Sequence, residues 1–179
     1  MTQLIQGYSS VSDYMKEVKL NPAAIKPDCC PTCNYQNLWS HGSYSRNCIR
    51  RDLQKKINDD ITILRFLCIS CNGTFGALPE FLCPLRWYLW CIQEAVISRF
   101  LEGRSKASIA SEYQLSRDTV YRWCDWMIKN ADEYQKTLRA CNIIDGLGLE
   151  LFQFWLFLFS RASLSHFMSV IQRSGITVP

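Results

Sequence analysis

The sequence has little of what catalysis commonly uses. Of its 179 residues only two are histidine, His41 and His166. It contains no P-loop, no nucleophile elbow and no glycine-rich dinucleotide fingerprint. Asp145 and Glu150 form one loose carboxylate pair near the end of the chain, whereas two-metal phosphoryl transfer needs several carboxylates held around its ions. We therefore expect a protein that catalyses no reaction.

Long apolar runs and a secretory signal are also missing. The longest apolar run, residues 151–159, lies between Glu150 and Arg161 and is far shorter than the roughly 20 residues of a spanning helix. The first residues mix polar and charged types without an apolar centre. We expect a cytoplasmic protein with no membrane partner. In a reducing compartment the ten cysteines indicate metal binding and core packing rather than a disulfide scaffold.

The composition is that of a folded chain with a modest positive charge. Hydrophobic residues make up 48% and charged residues 20%, and the net charge is +4, which permits nucleic-acid binding without requiring it. We predict an α+β fold in which a small zinc β-ribbon precedes a mostly α helix-turn-helix domain. The predicted segments are a polar leader (1–28), the ribbon (29–80), the helical domain (84–140) and an apolar helical tail (141–179).

The most specific motif is a pair of CxxC turns. Two residues separate the cysteines of each pair, the spacing at which both thiolates can reach one tetrahedral zinc ion. Asn72-Gly73 follows the second pair and tolerates the left-handed backbone of a turn. We predict one structural zinc ion, with Cys29 or His41 left open as substitute ligands. The predicted ligands are Cys30, Cys33, Cys68 and Cys71.

Strands are expected between and after these turns. Residues 37–50 contain a glycine among alternating polar and aromatic residues, which suits a strand with a bend. Asp59-Asp60 is expected to form a turn. Residues 61–67 are β-branched and aromatic and favour a strand that leads into the second CxxC turn. Residues 74–78 should pair back as the last strand.

A basic run lies on the predicted ribbon. On an exposed hairpin such a run can be merely a solvated face, but beside a second nucleic-acid motif it favours phosphate contacts. We predict DNA contacts at Arg46, Arg50 and Arg51. The run also includes Lys55 and Lys56.

The second half of the chain has helical periodicity. Apolar residues recur at steps of three and four over residues 85–100 and predict an amphipathic helix. Ser105 is expected to cap a short helix that ends near Tyr113. Ser116 is expected to cap the next helix, which runs to about Leu138. A short helix, a brief turn and a capped second helix predict a helix-turn-helix.

The start of the second helix is the candidate recognition surface. In a helix-turn-helix this end faces base edges in the major groove, where Arg can bind guanine with two hydrogen bonds. Ser105 and Lys106 should then lie near the DNA backbone. The alternative is that the helix pair is plain packing. The positions predicted to face outward are Arg117, Asp118, Thr119, Tyr121 and Arg122.

The tail is predicted to form two helices. Its apolar stretch should be buried, either on the rest of the chain or on a second copy. In the second case the protein would be a homodimer held through residues 141–179.

Several motifs together resemble a known protein class. The quoted motifs are Cys30-Pro31-Thr32-Cys33, His41-Gly42-Ser43-Tyr44-Ser45-Arg46, Arg65-Phe66-Leu67-Cys68-Ile69-Ser70-Cys71, Thr74-Phe75 and Leu78-Pro79. They resemble the N-terminal zinc ribbon of bacterial insertion-sequence transposases, which a helix-turn-helix also follows. A family of short uncharacterised bacterial proteins shares both modules. The likeness covers about residues 30–126.

The resemblance implies recognition of double-stranded DNA at the ends of a mobile element. In the full-length transposases an RNase H-like domain further along the chain cuts the DNA, and this sequence stops short of such a domain. We therefore expect a non-catalytic, transposase-related DNA-binding protein. One alternative is the DNA-binding part of a split or truncated transposase whose nuclease is elsewhere. Another is a protein–protein interaction module.

Overall fold

The computed structural model describes residues 2–52, 55–84, 86–145 and 148–176. Within them the chain forms one four-stranded sheet and six α-helices, so the fold is α+β. The chain divides into two compact units, Met1–Leu89, called here the sheet unit, and Trp90–Pro179, called the helical unit.

The sheet unit is built on one long hairpin. Its strands stand in the order β1-β4-β3-β2. One α-helix and a 3-10 turn, Pro22–Ile25, lie between the first two strands in the chain. The elements are β1 (Thr2–Ile5), α1 (Val11–Leu20), β2 (Leu38–Asp52), β3 (Lys55–Cys68) and β4 (Thr74–Pro79).

The hairpin confirms the predicted strands and corrects the predicted turn. The register of β2 against β3 shifts between Ser40 and Ser43, and Gly42 there has a φ of 75°, so the expected bend is present. Asp59 and Asp60 pair with residues of β2 inside the ladder. The turn predicted at these aspartates is therefore wrong, because the strand continues through them to Lys55.

The residues predicted as a polar leader belong to the sheet unit. Strand β1 pairs in parallel with β4, with Thr2 opposite Gly76. Helix α1 begins after Ser10, whose side chain accepts a hydrogen bond from the Asp13 amide. Tyr14 on this helix is fully buried and packs edge-on against Tyr8, with ring centroids 5.3 Å apart.

The core of the sheet unit reaches the cysteine turns. Alternate residues of β3 point inward, as the pleat of a strand requires, and Ile61 and Ile63 are fully buried. Cys30 and Cys68 belong to the same buried cluster. The apolar core and the cysteine turns are thus one continuous packing arrangement.

Over its described residues, 90–145 and 148–176, the helical unit forms five helices. The first begins later than predicted: Tyr88 and Leu89 are extended and bridge to Ile49 and Leu82, while Leu85 lies outside the described residues. The helices are α2 (Trp90–Leu101), α3 (Lys106–Glu112), α4 (Arg117–Ala140), α5 (Leu151–Arg161) and α6 (Leu164–Arg173).

The predicted starts of α3 and α4 and the two tail helices are confirmed. Ser105 and Ser116 accept hydrogen bonds from the amides of Ser108 and Thr119, as N-caps do. Helices α5 and α6 both pack against α2 and α4. Within the described part of the chain no single helix is long and apolar enough to cross a membrane; only the pair α5–α6, bent by 104°, reaches that length and composition together.

Candidate functional site

The two cysteine turns have the same backbone geometry. In the first, the Cys30 amide donates to the Tyr35 carbonyl at 2.9 Å, and in the second the Cys68 amide donates to the Gly73 carbonyl at 2.9 Å. Both bonds span five residues. The fourth residue after each leading cysteine is a left-handed asparagine, Asn34 with φ 60° and Asn72 with φ 55°. Asparagine accepts this conformation more readily than most residues, so each Cys-x-x-Cys-Asn sequence encodes one turn.

The four predicted ligands come together. Their sulfurs all lie within 4.8 Å of one another. The Sγ atoms of Cys30 and Cys71 are 3.7 Å apart, and those of Cys33 and Cys68 are 3.5 Å apart. Four bonds of about 2.3 Å, the length of zinc–thiolate bonds, directed to the corners of a tetrahedron separate the sulfurs by about 3.8 Å. The observed spacings fit one four-coordinate ion.

The electrostatics of the cluster favour a cation. Burial opposes ionisation of Cys30, but hydrogen bonds from the backbone of Cys33 and Thr32 outweigh it, and the pKa of Cys30 falls to about 6. The Gly73 amide favours the Cys71 thiolate, but burial and the neighbouring thiols together raise the pKa of Cys71 to about 12. Thiolates this close repel one another. A bound cation would offset this repulsion.

The site is closed to chemistry at the ion. Four protein sulfurs fill a tetrahedron and leave no position for a substrate or water. Cys30 and Cys68 are buried, whereas Cys33 and Cys71 are exposed. An ion held here would fasten the two exposed turns to the core of the sheet unit. A sulfur-only tetrahedral set is typical of zinc and of iron.

Neither alternative ligand joins the cluster. Among the described residues the grouped metal-binding side chains are the four predicted cysteines alone. Cys29 is half-buried outside the group, and His41 is exposed at the bend of β2. Sequence reasoning missed Asn34, although the repeated Cys-x-x-Cys-Asn pattern was a visible signal for it.

The start of α4 exposes most of the predicted recognition residues. Arg117, Asp118, Tyr121 and Arg122 are exposed, but Thr119 is only 7% exposed. Its hydroxyl bonds the Ser116 hydroxyl at 2.8 Å and accepts from Arg122 at 3.3 Å. The outward position expected for Thr119 is therefore wrong, because its side chain completes the cap of the helix.

The two candidates on α3 have roles inside the helical unit. Ser105 caps α3. Lys106 forms an ion pair with Asp125 at 3.0 Å, and its ammonium lies 4.7 Å from the centre of the Tyr121 ring. Lys106 thus links α3 to α4 and neutralises a carboxylate of α4.

The basic run on the hairpin is partly engaged in internal contacts. Arg46 donates to the carbonyl of Cys83 at 2.5 Å and to that of Arg86, and burial lowers the pKa of its guanidinium. Arg50 pairs with Asp59 at 2.6 Å. Arg51 is half-buried and also has a partner. Lys55 and Lys56 are exposed and are the cations of this run best placed to meet a phosphate.

The comparisons with known proteins give a family and no function. The family described as Domain of unknown function (DUF6431) matches residues 30–123, more than half of the chain. The match begins at the first metal-site cysteine and ends in the second turn of α4. No curated protein and no solved structure matches the chain.

Proposed function

We propose that this chain, which belongs to the DUF6431 family, is a zinc-stabilised protein that binds double-stranded DNA and catalyses no reaction. The observation that carries the proposal is the exposed, capped start of α4. There two arginines and a tyrosine stand on a helix whose opposite side is buried in the helical unit.

Zinc is the metal that this site suits best. The four thiols supply only sulfur, and their spacing matches zinc–thiolate bonds. Zinc carries out no redox chemistry, which agrees with a role confined to folding. In such sites the free energy of metal binding becomes free energy of folding.

The α3–α4 pair supplies the shape of a helix-turn-helix. Four residues, 113–116, separate the helices, and Gln114 turns the chain with a φ of 49°. Ile109 and Val120 are fully buried, so the two helices are fixed by apolar packing. A recognition helix held in this way presents its first turns to the major groove.

The charge at this end of α4 favours a polyanion. Asp125 is already neutralised by Lys106, and Arg117 forms no ion pair with any residue that the structure describes. Arg117 and Arg122 therefore outweigh Asp118 at the exposed end. Their guanidinium groups can bind phosphate or, with two hydrogen bonds, the O6 and N7 atoms of guanine.

Fluorescence anisotropy with a labelled duplex of random sequence tests the proposal. We expect binding that weakens as salt rises from about 50 to 200 mM, because bound cations release counterions from the phosphates. Removing two phosphate contacts in Arg117→Ala/Arg122→Ala should weaken binding at least about tenfold and reduce the salt slope by about 2.

A matched variant controls for charge alone. Lys129→Ala/Lys136→Ala removes two exposed cations from the same helix, further along it, and should change affinity less than about twofold. Equal losses in both double variants, or no duplex binding by the zinc-loaded protein, would contradict the proposal. Selection of bound sequences from a random pool would then identify the target.

The link to transposases belongs to the same proposal. The resemblance of residues 30–126 to transposase DNA-binding modules suggests recognition or regulation at the ends of a mobile element. In the alternative, the chain is the DNA-binding part of a split transposase. Incubation of the bound duplex with Mg²⁺ or Mn²⁺ tests the expected lack of catalysis, because cleavage by this chain alone would contradict a non-catalytic function.

A protein-interaction role is the second candidate, and one observation favours it. Phe152 and Leu156 on α5 are 48% and 52% exposed, and residues four apart lie on the same side of a helix. This apolar face would serve a homodimer held through the tail. Light scattering should then give twice the chain mass of 20.8 kDa, and Leu156→Lys should restore the single mass.

A further inference from the structure

The sheet unit contains a cleft that neither the metal site nor the proposed duplex contact uses. Its volume is about 360 Å³, within the range of about 300–1,000 Å³ common for small-molecule sites. Two side-chain amides, one ammonium group, one buried aliphatic side chain and two aromatic rings line it. These residues are Asn47, Ile49, Lys56, Asn58, Trp87 and Tyr88.

The strand register fixes the floor of the cleft. Ile49 on β2 stands opposite Asn58 on β3, and Tyr88 bridges to Ile49 on its other side. Asn58, Ile49 and Tyr88 therefore form one row across β3, β2 and the segment before α2. Ile49 is 7% exposed, so the floor is closed, while Asn47 and Asn58 are exposed and their amides can donate and accept hydrogen bonds.

Trp87 and Tyr88 form an aromatic wall of the cleft, and backbone hydrogen bonds hold this segment in place. The Ile49 amide donates to the Trp87 carbonyl at 2.6 Å, and the Leu89 amide donates to the Ile49 carbonyl at 3.2 Å. Arg46 holds the preceding residues through the carbonyls of Cys83 and Arg86. The Trp87 side chain is nevertheless 69% exposed. A large ring kept exposed on a fixed backbone is available for stacking.

The side chain of Lys56 brings a positive charge to the end of the cleft next to the Tyr88 ring. The Lys56 ammonium lies 5.8 Å from the centre of the Tyr88 ring. Asp59 is paired with Arg50 at 2.6 Å. The exposed Asp60 stands opposite Asn47, four residues along β3 from Lys56, so the positive end of the cleft is the end at Lys56. A flat ring for stacking, amides for polar edges and an ammonium for a phosphate are the groups that a nucleotide requires.

We infer that this cleft binds one unpaired base of a nucleic-acid strand, stacked on Trp87, with the adjoining phosphate near Lys56. The amides of Asn47 and Asn58 meet polar atoms on the edge of the base. The inference goes beyond duplex binding and does not depend on it, since all the residues involved lie in the sheet unit.

The test measures the binding of labelled single-stranded oligodeoxythymidine to the full-length, zinc-loaded protein. We expect binding that Trp87→Ala weakens at least about fivefold, the lower end of what removing one stacking ring does, while Trp87→Phe retains most of it. Lys56→Ala should also weaken binding. Trp39→Ala is the matched control, because Trp39 is also an exposed tryptophan of the same unit, 59% exposed against 69% for Trp87, and does not line the cleft.

Each outcome decides between the two proposals. If Trp87→Ala weakens binding of the single-stranded DNA and Trp39→Ala does not, the result supports the proposed base site, even if the protein does not bind duplex. The inference is wrong if the protein binds duplex but not single-stranded DNA, or if the two tryptophan variants have equal effects. Neither result would contradict the proposed function. If thymidine monophosphate displaces the labelled DNA as well as unlabelled single-stranded DNA does at the same concentration of bases, the occupant is a free nucleotide and not a nucleic acid.

Discussion

The sheet unit and the helical unit differ in what stabilises them. In the sheet unit the apolar core ends in two turns whose four thiols meet at one point. In the helical unit the core includes a cluster of aromatic rings: the rings of Trp126 and Tyr134 lie 5.7 Å apart, and that of Trp155 lies 6.3 Å from Tyr134. We therefore expect metal binding to control the folding of the sheet unit, whereas the helical unit should depend on side-chain packing.

The cysteines themselves illustrate the difference. Burial raises the pKa of Cys124 in the helical unit to about 11, so this thiol stays neutral and packs as a small apolar group. Cys30 is equally buried, yet its pKa falls to about 6 because backbone amides and neighbouring thiols stabilise the thiolate against the effect of burial. At Cys30 hydrogen bonding outweighs the effect of burial, whereas at Cys124 burial prevails.

The largest expected effect is loss of the metal. Cys68→Ser removes a buried ligand, and structural zinc contributes about 10–16 kcal/mol in isolated zinc modules, as much as the whole stability of a typical domain. We expect the sheet unit to unfold while the helical unit keeps its structure. Amide NMR spectra would report each unit separately.

Cys29→Ser is the matched control. Cys29 is adjacent to a ligand and outside the cluster, so this variant should keep one zinc ion and both sets of resonances. Loss of the helical resonances in Cys68→Ser would show that the helical unit also depends on the metal.

The next effect should appear in the other unit. Trp155 is fully buried, and its indole donates to the Met127 carbonyl at 3.2 Å. Trp155→Ala should lower the free energy of unfolding of the helical unit by about 3–5 kcal/mol and leave the zinc content unchanged. Chemical denaturation and metal analysis check this, with Phe152→Ala, an exposed position of the same helix, as the control.

A glycine of the second cysteine turn lies close to one of the predicted ligands. A Cβ at residue 73 would lie 3.3 Å from the Cys71 sulfur, so Gly73→Ala should displace that ligand and weaken zinc binding about tenfold, as changes beside metal ligands do. Competition with a chromophoric chelator measures this. Gly148→Ala, whose added carbon meets Gln135 of the helical unit at 3.5 Å, should leave zinc affinity unchanged; equal affinities in both variants would contradict the account.

The smallest expected effect concerns the start of α4. Ser116→Ala removes the acceptor for the Thr119 amide and should destabilise the helical unit by about 1 kcal/mol. Faster hydrogen exchange at that amide and a few-fold loss of duplex affinity would report it. Ser111→Ala, at an exposed position of α3, should change neither.

Local signals in the sequence predicted much of this structure. The CxxC spacing identified all four metal-site cysteines, and the caps at Ser105 and Ser116 located α3 and α4, because each of these features depends on residues a few positions apart. The β-branched run before Cys68 likewise predicted the end of β3.

The features that sequence reasoning missed depend on distant partners. Strand β1 forms by pairing with β4, more than 70 residues away in the chain. Asp59 and Asp60 resemble a turn but are held in β3 by the long hairpin. Arg46 was expected at a phosphate and instead binds two backbone carbonyls, which no local pattern indicates.

X-ray absorption at the zinc edge, on protein purified under reducing conditions, tests the central claim most directly. The account predicts one zinc ion per chain with four sulfur ligands at about 2.3 Å. Nitrogen or oxygen atoms in the first coordination shell, or folded protein that contains no zinc, would contradict it.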